Sequence, residues 1–199
     1  MGIWMSRKQI APRYIKNIVI VHGKSEDIIC NYIKSNLRLP MEIYSHNKGK
    51  NNIEIGSLKS VLNNTVFKTQ SKLAENYAII PKKNLNKQDL EIFTIMDRDK
   101  CPDKFFNDYV SKEMFKKHWA YDLLTPIYNI ECLEDVLSKA GYTDLRKNKK
   151  NYIKLFPINK GGFNLNEIVE FYEKLLTVKN ISNLHLFVKK CLDSINTFD

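Results

Sequence analysis

The sequence has no apolar run near the roughly 20 residues that a helix needs to cross a bilayer, so no membrane-spanning helix is expected. Met1 to Arg13 lacks the apolar stretch and small-residue cleavage site of a secretory signal. Cysteine is sparse: Cys30, Cys101, Cys132 and Cys191 are widely separated, and no pair has the spacing of a zinc knuckle or a redox motif. They read as reduced thiols, mostly small core hydrophobes, in a cytoplasmic protein that does not engage membranes. There is no phosphate-binding P-loop, nucleophile elbow or His-Glu-x-x-His motif. His46, His118 and His185 stand at no metal-ligand spacing to one another. Internal repeats and low-complexity blocks are also absent.

What is present reads as one globular domain over 1–199. A chain of 199 residues with 43% hydrophobic and 27% charged residues can bury a full core. Lysine and arginine number 32 against 22 acidic residues, a net charge of +10. That balance favours polyanions, nucleic acid foremost, although frequent Lys and Asn would also follow from an AT-rich genome. Three basic loops can grip a phosphate backbone: Lys48 to Lys50, Lys82-Lys83, and Arg146 to Lys150.

The apolar periodicity alternates between strands and helices. Ile18 to Val21 is a β-branched run fit for a strand buried on both faces. Ser25 to Leu37 has a helical apolar face of Ile28, Ile29, Tyr32, Ile33 and Leu37, stopped by Pro40. Further strands are expected at Met41 to Ser45, Glu91 to Met96, Leu123 to Ile130 and Ile153 to Ile158. Further helices are expected at Gly56 to Leu62, Val66 to Tyr77, Lys104 to Trp119, Glu131 to Ala140, Leu165 to Thr177 and Ile181 to Leu192. The pattern implies an α/β fold with a mainly parallel central sheet flanked by helices, with C-terminal helices within 164–193. In such sheets, sites form beyond the carboxyl ends of the strands.

Two strand ends carry the chemistry. Ile92 to Met96 runs into Asp97-Arg98-Asp99, a pair of carboxylates at i and i+2 that suits a hard divalent cation with open positions for phosphate oxygens. Asp97 as a helix cap and Asp99 in solvent would fit the same residues. Val19 to Val21 runs into His22-Gly23-Lys24-Ser25-Glu26-Asp27, where Gly23 permits a tight turn and the helix start favours anions. Glu26 and Asp27 also fit as acids that complement the helix dipole. If the two strands are neighbours, these groups converge.

A hydrophobic strand ending in x-Gly-x-x-Glu, followed later by one ending in Asp-x-Asp, resembles the Toprim superfamily. That group includes bacterial primases, type IA and type II topoisomerases, small ribonucleases and the OLD-type nucleases of phage defence. The form Gly23-Lys24-Ser25-Glu26 is most similar to the OLD-like, defence-associated branch. The resemblance covers about 17–159 and implies a Toprim-like Rossmannoid domain with its core there, and Asp97, Asp99 and Glu26 as ligands of Mg²⁺ or Mn²⁺. His22 stands where the family normally has a glutamate with acid/base or metal-binding work. A histidine can bind a metal or move a proton near neutral pH, and it suits Mn²⁺ better than Mg²⁺. A segment around Glu131-Cys132-Leu133-Glu134 resembles the acidic helix start that follows the Asp-x-Asp strand in small Toprim proteins. Glu131 fits one register and Glu134 another, each a candidate for a second metal or a plain dipole-complementing acid. Lys160, before Gly161-Gly162, is a candidate to stabilise charge on a phosphate, or part of a solvated turn.

The resulting expectation is a metal-dependent nuclease acting on RNA or DNA, with His22, Glu26 and Lys160 in catalytic roles. The resemblance implies work in phage defence or on a mobile element, with restraint by a regulatory protein or by homo-oligomerisation. The alternative is a catalytically degenerate Toprim-like module that binds nucleic acid or a partner protein. A topoisomerase or primase is disfavoured, because the chain lacks room for strand-passage domains and any evident catalytic-tyrosine context.

Overall fold

Each buried strand alternates its side chains between two faces, and that alternation builds two cores. In a computed structural model that describes residues 15–79, 85–143, 145 and 150–195, the order is β1 (Asn17–Val21), α1 (Lys24–Leu37), β2 (Met41–Tyr44), α2 (Ile55–Asn64), α3 (Gln70–Tyr77), β3 (Glu91–Asp97), α4 (Asp103–Val110), β4 (Leu124–Asn129), α5 (Leu133–Lys139), α6 (Lys150–Leu155), α7 (Leu165–Leu176) and α8 (Leu184–Asp193). The strands form a four-stranded sheet in the order β2-β1-β3-β4, and every pairing is parallel. The fold is therefore α/β and Rossmann-like. Val19, Val21, Phe93, Ile95 and Ile127 face a core closed by α1, α5, α7 and α8. Ile18, Ile20, Ile92, Met96 and Leu124 face the other, closed by α2, α3 and α4. No helix among the described residues is long and apolar enough to cross a membrane. The segment before Ile15, the Lys82-Lys83 loop and most of the Arg146 to Lys150 loop lie outside the described residues.

Several expected elements shift. Ile153 to Ile158 is not a strand: α6 covers Lys150–Leu155. Tyr152 and Phe156, four residues apart, are buried while Ile153 and Ile158 are exposed. A spacing of four on one buried face is helical, and the β-branched residues that suggested a strand point outward. The helix expected over Lys104 to Trp119 stops at Val110, because Lys112 turns left-handed at φ 67° and starts a short 3₁₀ turn. The helix expected over Val66 to Tyr77 is divided by Thr69, whose Oγ1 accepts the Lys72 N–H and begins α3 anew.

β4 lies at the edge of the sheet and carries Pro126, a residue that edge strands tolerate. Its outer side is covered by the turn between α7 and α8. Tyr128 N–H donates to Asn183 Oδ1 (2.6 Å), and Asn183 Nδ2 donates to Pro126 O (3.1 Å). Ile130 N–H donates to Ile181 O (2.8 Å), and Ser182 forms an isolated antiparallel bridge with Asn129. One side chain thus supplies the donor and acceptor that another strand would supply, and the edge is closed to outside pairing. We expect Asn183→Ala to lower stability by about 1–3 kcal/mol in urea unfolding, since it leaves the Tyr128 N–H without its acceptor. A loss under about 0.5 kcal/mol would show that water replaces the amide.

Candidate metal centre

β1 and β3 are direct neighbours, with Val21 in register with Ile95, so both strands end at the same rim of the sheet. His22 follows β1 at once. Its N–H donates to Ile95 O (2.9 Å), and its carbonyl accepts the Ile53 N–H (2.7 Å). The ring is fixed as well: Nδ1 lies 3.0 Å from Ile53 O. A carbonyl can only accept, so Nδ1 carries the proton and donates. Nε2 is left to face Asp99, whose Oδ2 is 3.8 Å away. A backbone carbonyl that orients a histidine in this way is the usual support of a metal-ligating imidazole.

Asp97, the last residue of β3, is only 4% exposed. Asn129 Nδ2 donates to its Oδ1 (2.8 Å), and Leu133 N–H, at the start of α5, donates to its Oδ2 (3.1 Å). Asn129 is oriented in turn by Ser182, whose Oγ donates to Asn129 Oδ1 (2.7 Å) while accepting the Leu184 N–H (3.0 Å). The α7–α8 turn therefore holds the amide that holds the carboxylate. Asp99 stands two residues on, exposed, with a left-handed φ of 41° that Asp tolerates. One ligand atom each from His22, Asp97 and Asp99 lie within 4.8 Å of one another, and this group could hold a metal ion.

These residues line a cavity of about 160 Å³ together with Glu26, Asn52, Cys132 and Glu134. Gly23 makes room at its mouth: a Cβ there would come within 2.9 Å of Asn52 Oδ1. Glu26, 3% exposed, accepts the Gly23 N–H on Oε2 (2.9 Å), closing the first turn of α1 from within. Glu134 accepts from Ser25 Oγ (2.7 Å). Burial, then the neighbouring charge of Asp97 and more weakly that of Glu134, push the Glu26 carboxyl up to about 8. Burial also raises Asp97, to about 6, against the stabilising Asn129 amide, His22 and Leu133 N–H. Burial pushes the Cys132 thiol to about 12, so it is an uncharged wall. Among the described residues no lysine or arginine forms an ion pair with Glu26, Asp97, Asp99 or Glu134. Glu26 and Asp97 are crowded and buried, with His22 as the basic side chain nearest to Asp97 and Asp99, and a metal cation is a counter-charge the group fits.

The other candidates are placed elsewhere. Glu131 pairs with Lys139 on the surface (2.6 Å) and does not line the cavity, whereas Glu134 does. Lys160 is exposed and follows no strand, since Ile153 to Ile158 forms none. Its neighbour Asn159 is bonded to Ser35 and Asn36 near the C-terminal end of α1, about 14 Å along the helix axis from Glu26 at 1.5 Å per residue. A charge-stabilising role at this cavity is thus out of its reach. Asp27 faces outward to Lys24 (2.9 Å). Arg98 turns away, paired with Asp103 and stacked 5.0 Å from the centroid of Phe106. Asn52, Asn129, Cys132 and Ser182 were not singled out from the sequence. Only the place of Asn129 at the end of an expected strand offered a signal.

No protein-family model, curated protein or solved structure matches the chain.

The raised Glu26 value fixes a sign for pH dependence without metal. The folded state holds the Glu26 proton up to about pH 8, while an ordinary glutamate releases it near 4.5. Between those values the unfolded chain binds fewer protons, so this contribution is full below about pH 4.5 and is lost as pH rises to about 8. We expect the thermal stability of Glu26→Gln, relative to wild type in chelator, to improve steadily from pH 5 to 8. A difference that stays constant or shrinks over that range would contradict the burial of Glu26 among acids.

Proposed function

We propose that the protein is a divalent-metal-dependent nuclease, hydrolysing phosphodiester bonds of RNA or DNA. The observation that carries this reading is the convergence of His22, Asp97 and Asp99 at neighbouring strand ends, with Glu26 and Glu134 in the same cavity. The resemblance to Toprim proteins at His22 to Asp27 and Asp97 to Asp99 supports it, and so does the net charge of +10. Through that resemblance we also propose an effector role in phage defence or on a mobile element.

In this reading His22 Nε2, Asp97 and Asp99 hold the ion, and Glu134 stands by for a second. The mixed nitrogen and oxygen donors favour Mn²⁺ over Mg²⁺, which prefers oxygen. Such an ion supplies Lewis acidity toward a phosphodiester and lowers the pKa of bound water. Glu26, which lines the same cavity beside Asp97, is placed to carry a proton to or from the reacting group. A second reading, a module that binds without catalysis, draws on His22 in place of the family's glutamate. The Nδ1 bond to Ile53 O weighs against it, because that bond prepares Nε2 to ligate.

The test is cleavage of labelled RNA and DNA in Mg²⁺ and in Mn²⁺. We expect faster cleavage in Mn²⁺, a loss of about a hundredfold or more in Asp97→Asn, and a shift of preference toward Mg²⁺ in His22→Glu. Equal cleavage by wild type and Asp97→Asn, or none of any substrate with either ion, would reject the nuclease reading.

A further inference from the structure

A larger hollow of about 590 Å³ adjoins the metal cavity, and Asp99 lines both. It lies between the starts of α2 and α4, with walls that include Glu54, Ile55, Gly56, Pro102 and Phe105. We propose that this hollow receives one unpaired base of a nucleic-acid strand whose backbone crosses the metal cavity, so that the substrate is single-stranded at the point of cleavage. The proposal rests on the nuclease reading and adds the form of nucleic acid to it.

Three observations carry it. The first is the Phe105 ring, 51% exposed at the wall of the hollow. Its neighbour Phe106 is engaged by Arg98 and Tyr128, but among the described residues Phe105 has no ring or cation partner. A free aromatic face beside a phosphate site is what a nucleobase stacks on. The second is charge. Glu54 and Asp99 line the hollow together with Lys100, so carboxylates stand ready to accept from the amino groups of a base while the lysine can meet the phosphate that adjoins it. The third is size and continuity. The volume falls within the roughly 300–1,000 Å³ of small-molecule sites, and Asp99 lines both the hollow and the metal cavity. A base that is paired and stacked in a duplex cannot enter unless it is flipped out.

Two variants separate the hollow from the metal cavity. Phe105→Ala removes the stacking face. Gly56→Leu fills the space, since a Cβ at Gly56 meets nothing within 4 Å and its backbone φ needs no glycine. The experiment is single-turnover cleavage in Mn²⁺ of RNA and DNA single strands, their duplexes, and strands carrying one abasic position moved along the chain. We expect single strands to be cut at least about tenfold faster than duplexes, and one abasic position beside the cut to slow wild type by about tenfold. Phe105→Ala and Gly56→Leu should each lose about tenfold on intact strands and stop responding to the abasic position. Phe105→Trp, which restores a ring, should recover that response, and Mn²⁺ affinity should be equal in all of them. Unchanged rates in both variants with the abasic penalty intact, or duplexes cut as fast as single strands, would overturn the proposal. If wild type cuts nothing, the nuclease reading fails by itself and binding of strands containing 2-aminopurine decides the hollow. Quenching that Phe105→Ala abolishes supports it, and no quenching in wild type overturns it.

Discussion

The arrangement depends on one electrostatic constraint: Glu26 and Asp97 are buried beside each other, with Glu134 at hand, and among the described residues no lysine or arginine pairs with them, while His22 eases Asp97 alone. Carboxylates taken out of water repel and hold protons. Such a group is tolerated when neutral hydrogen-bond donors surround it, and Gly23 N–H, Leu133 N–H, Asn129 Nδ2 and Ser25 Oγ are those donors. They fix the oxygens in place without cancelling their charge. A divalent cation would complete the balance, whereas a lysine in the same position would have closed the site.

The fold delivers this crowding through topology. Neighbouring parallel strands end at one rim, so residues 75 positions apart in the chain, His22 and Asp97, become neighbours. The same rim receives the start of α1, which brings Ser25 and Glu26, and the start of α5, whose first N–H reaches Asp97. The C-terminal helices do more than cover the sheet. Their connecting turn caps the edge strand through Asn183 and orients Asn129 through Ser182. The site is thus held by elements from both ends of the described chain.

The strand ends were legible in the sequence because each is an apolar run broken abruptly by acids or by a glycine turn. Ile92 to Met96 before Asp97, and Val19 to Val21 before His22, give that signal locally. The alternation of elements gave the α/β class for the same reason. What was not legible depends on distant pairing. Asn129 and Ser182 are ordinary polar residues until the sheet places them within 2.7 Å of each other. Glu131 and Glu134 are equal as letters, and only the turn into α5 sends one to Lys139 and the other to Ser25. Ile153 to Ile158 misled because Ile153 on the exposed face of a short helix and Ile158 in the exposed segment after it look like a strand. Phe105 falls within the helix expected over Lys104 to Trp119, and Tyr109, one turn on, takes the buried position and leaves Phe105 outside.

The central claim is that His22, Asp97 and Asp99 bind one divalent cation between them. A crystal soaked in Mn²⁺ and measured at the manganese absorption edge tests it most directly. The account predicts an anomalous peak within bonding distance of His22 Nε2 and of one oxygen each from Asp97 and Asp99. An empty cavity at saturating Mn²⁺, or a peak bound only to surface acids such as Glu131, would contradict it.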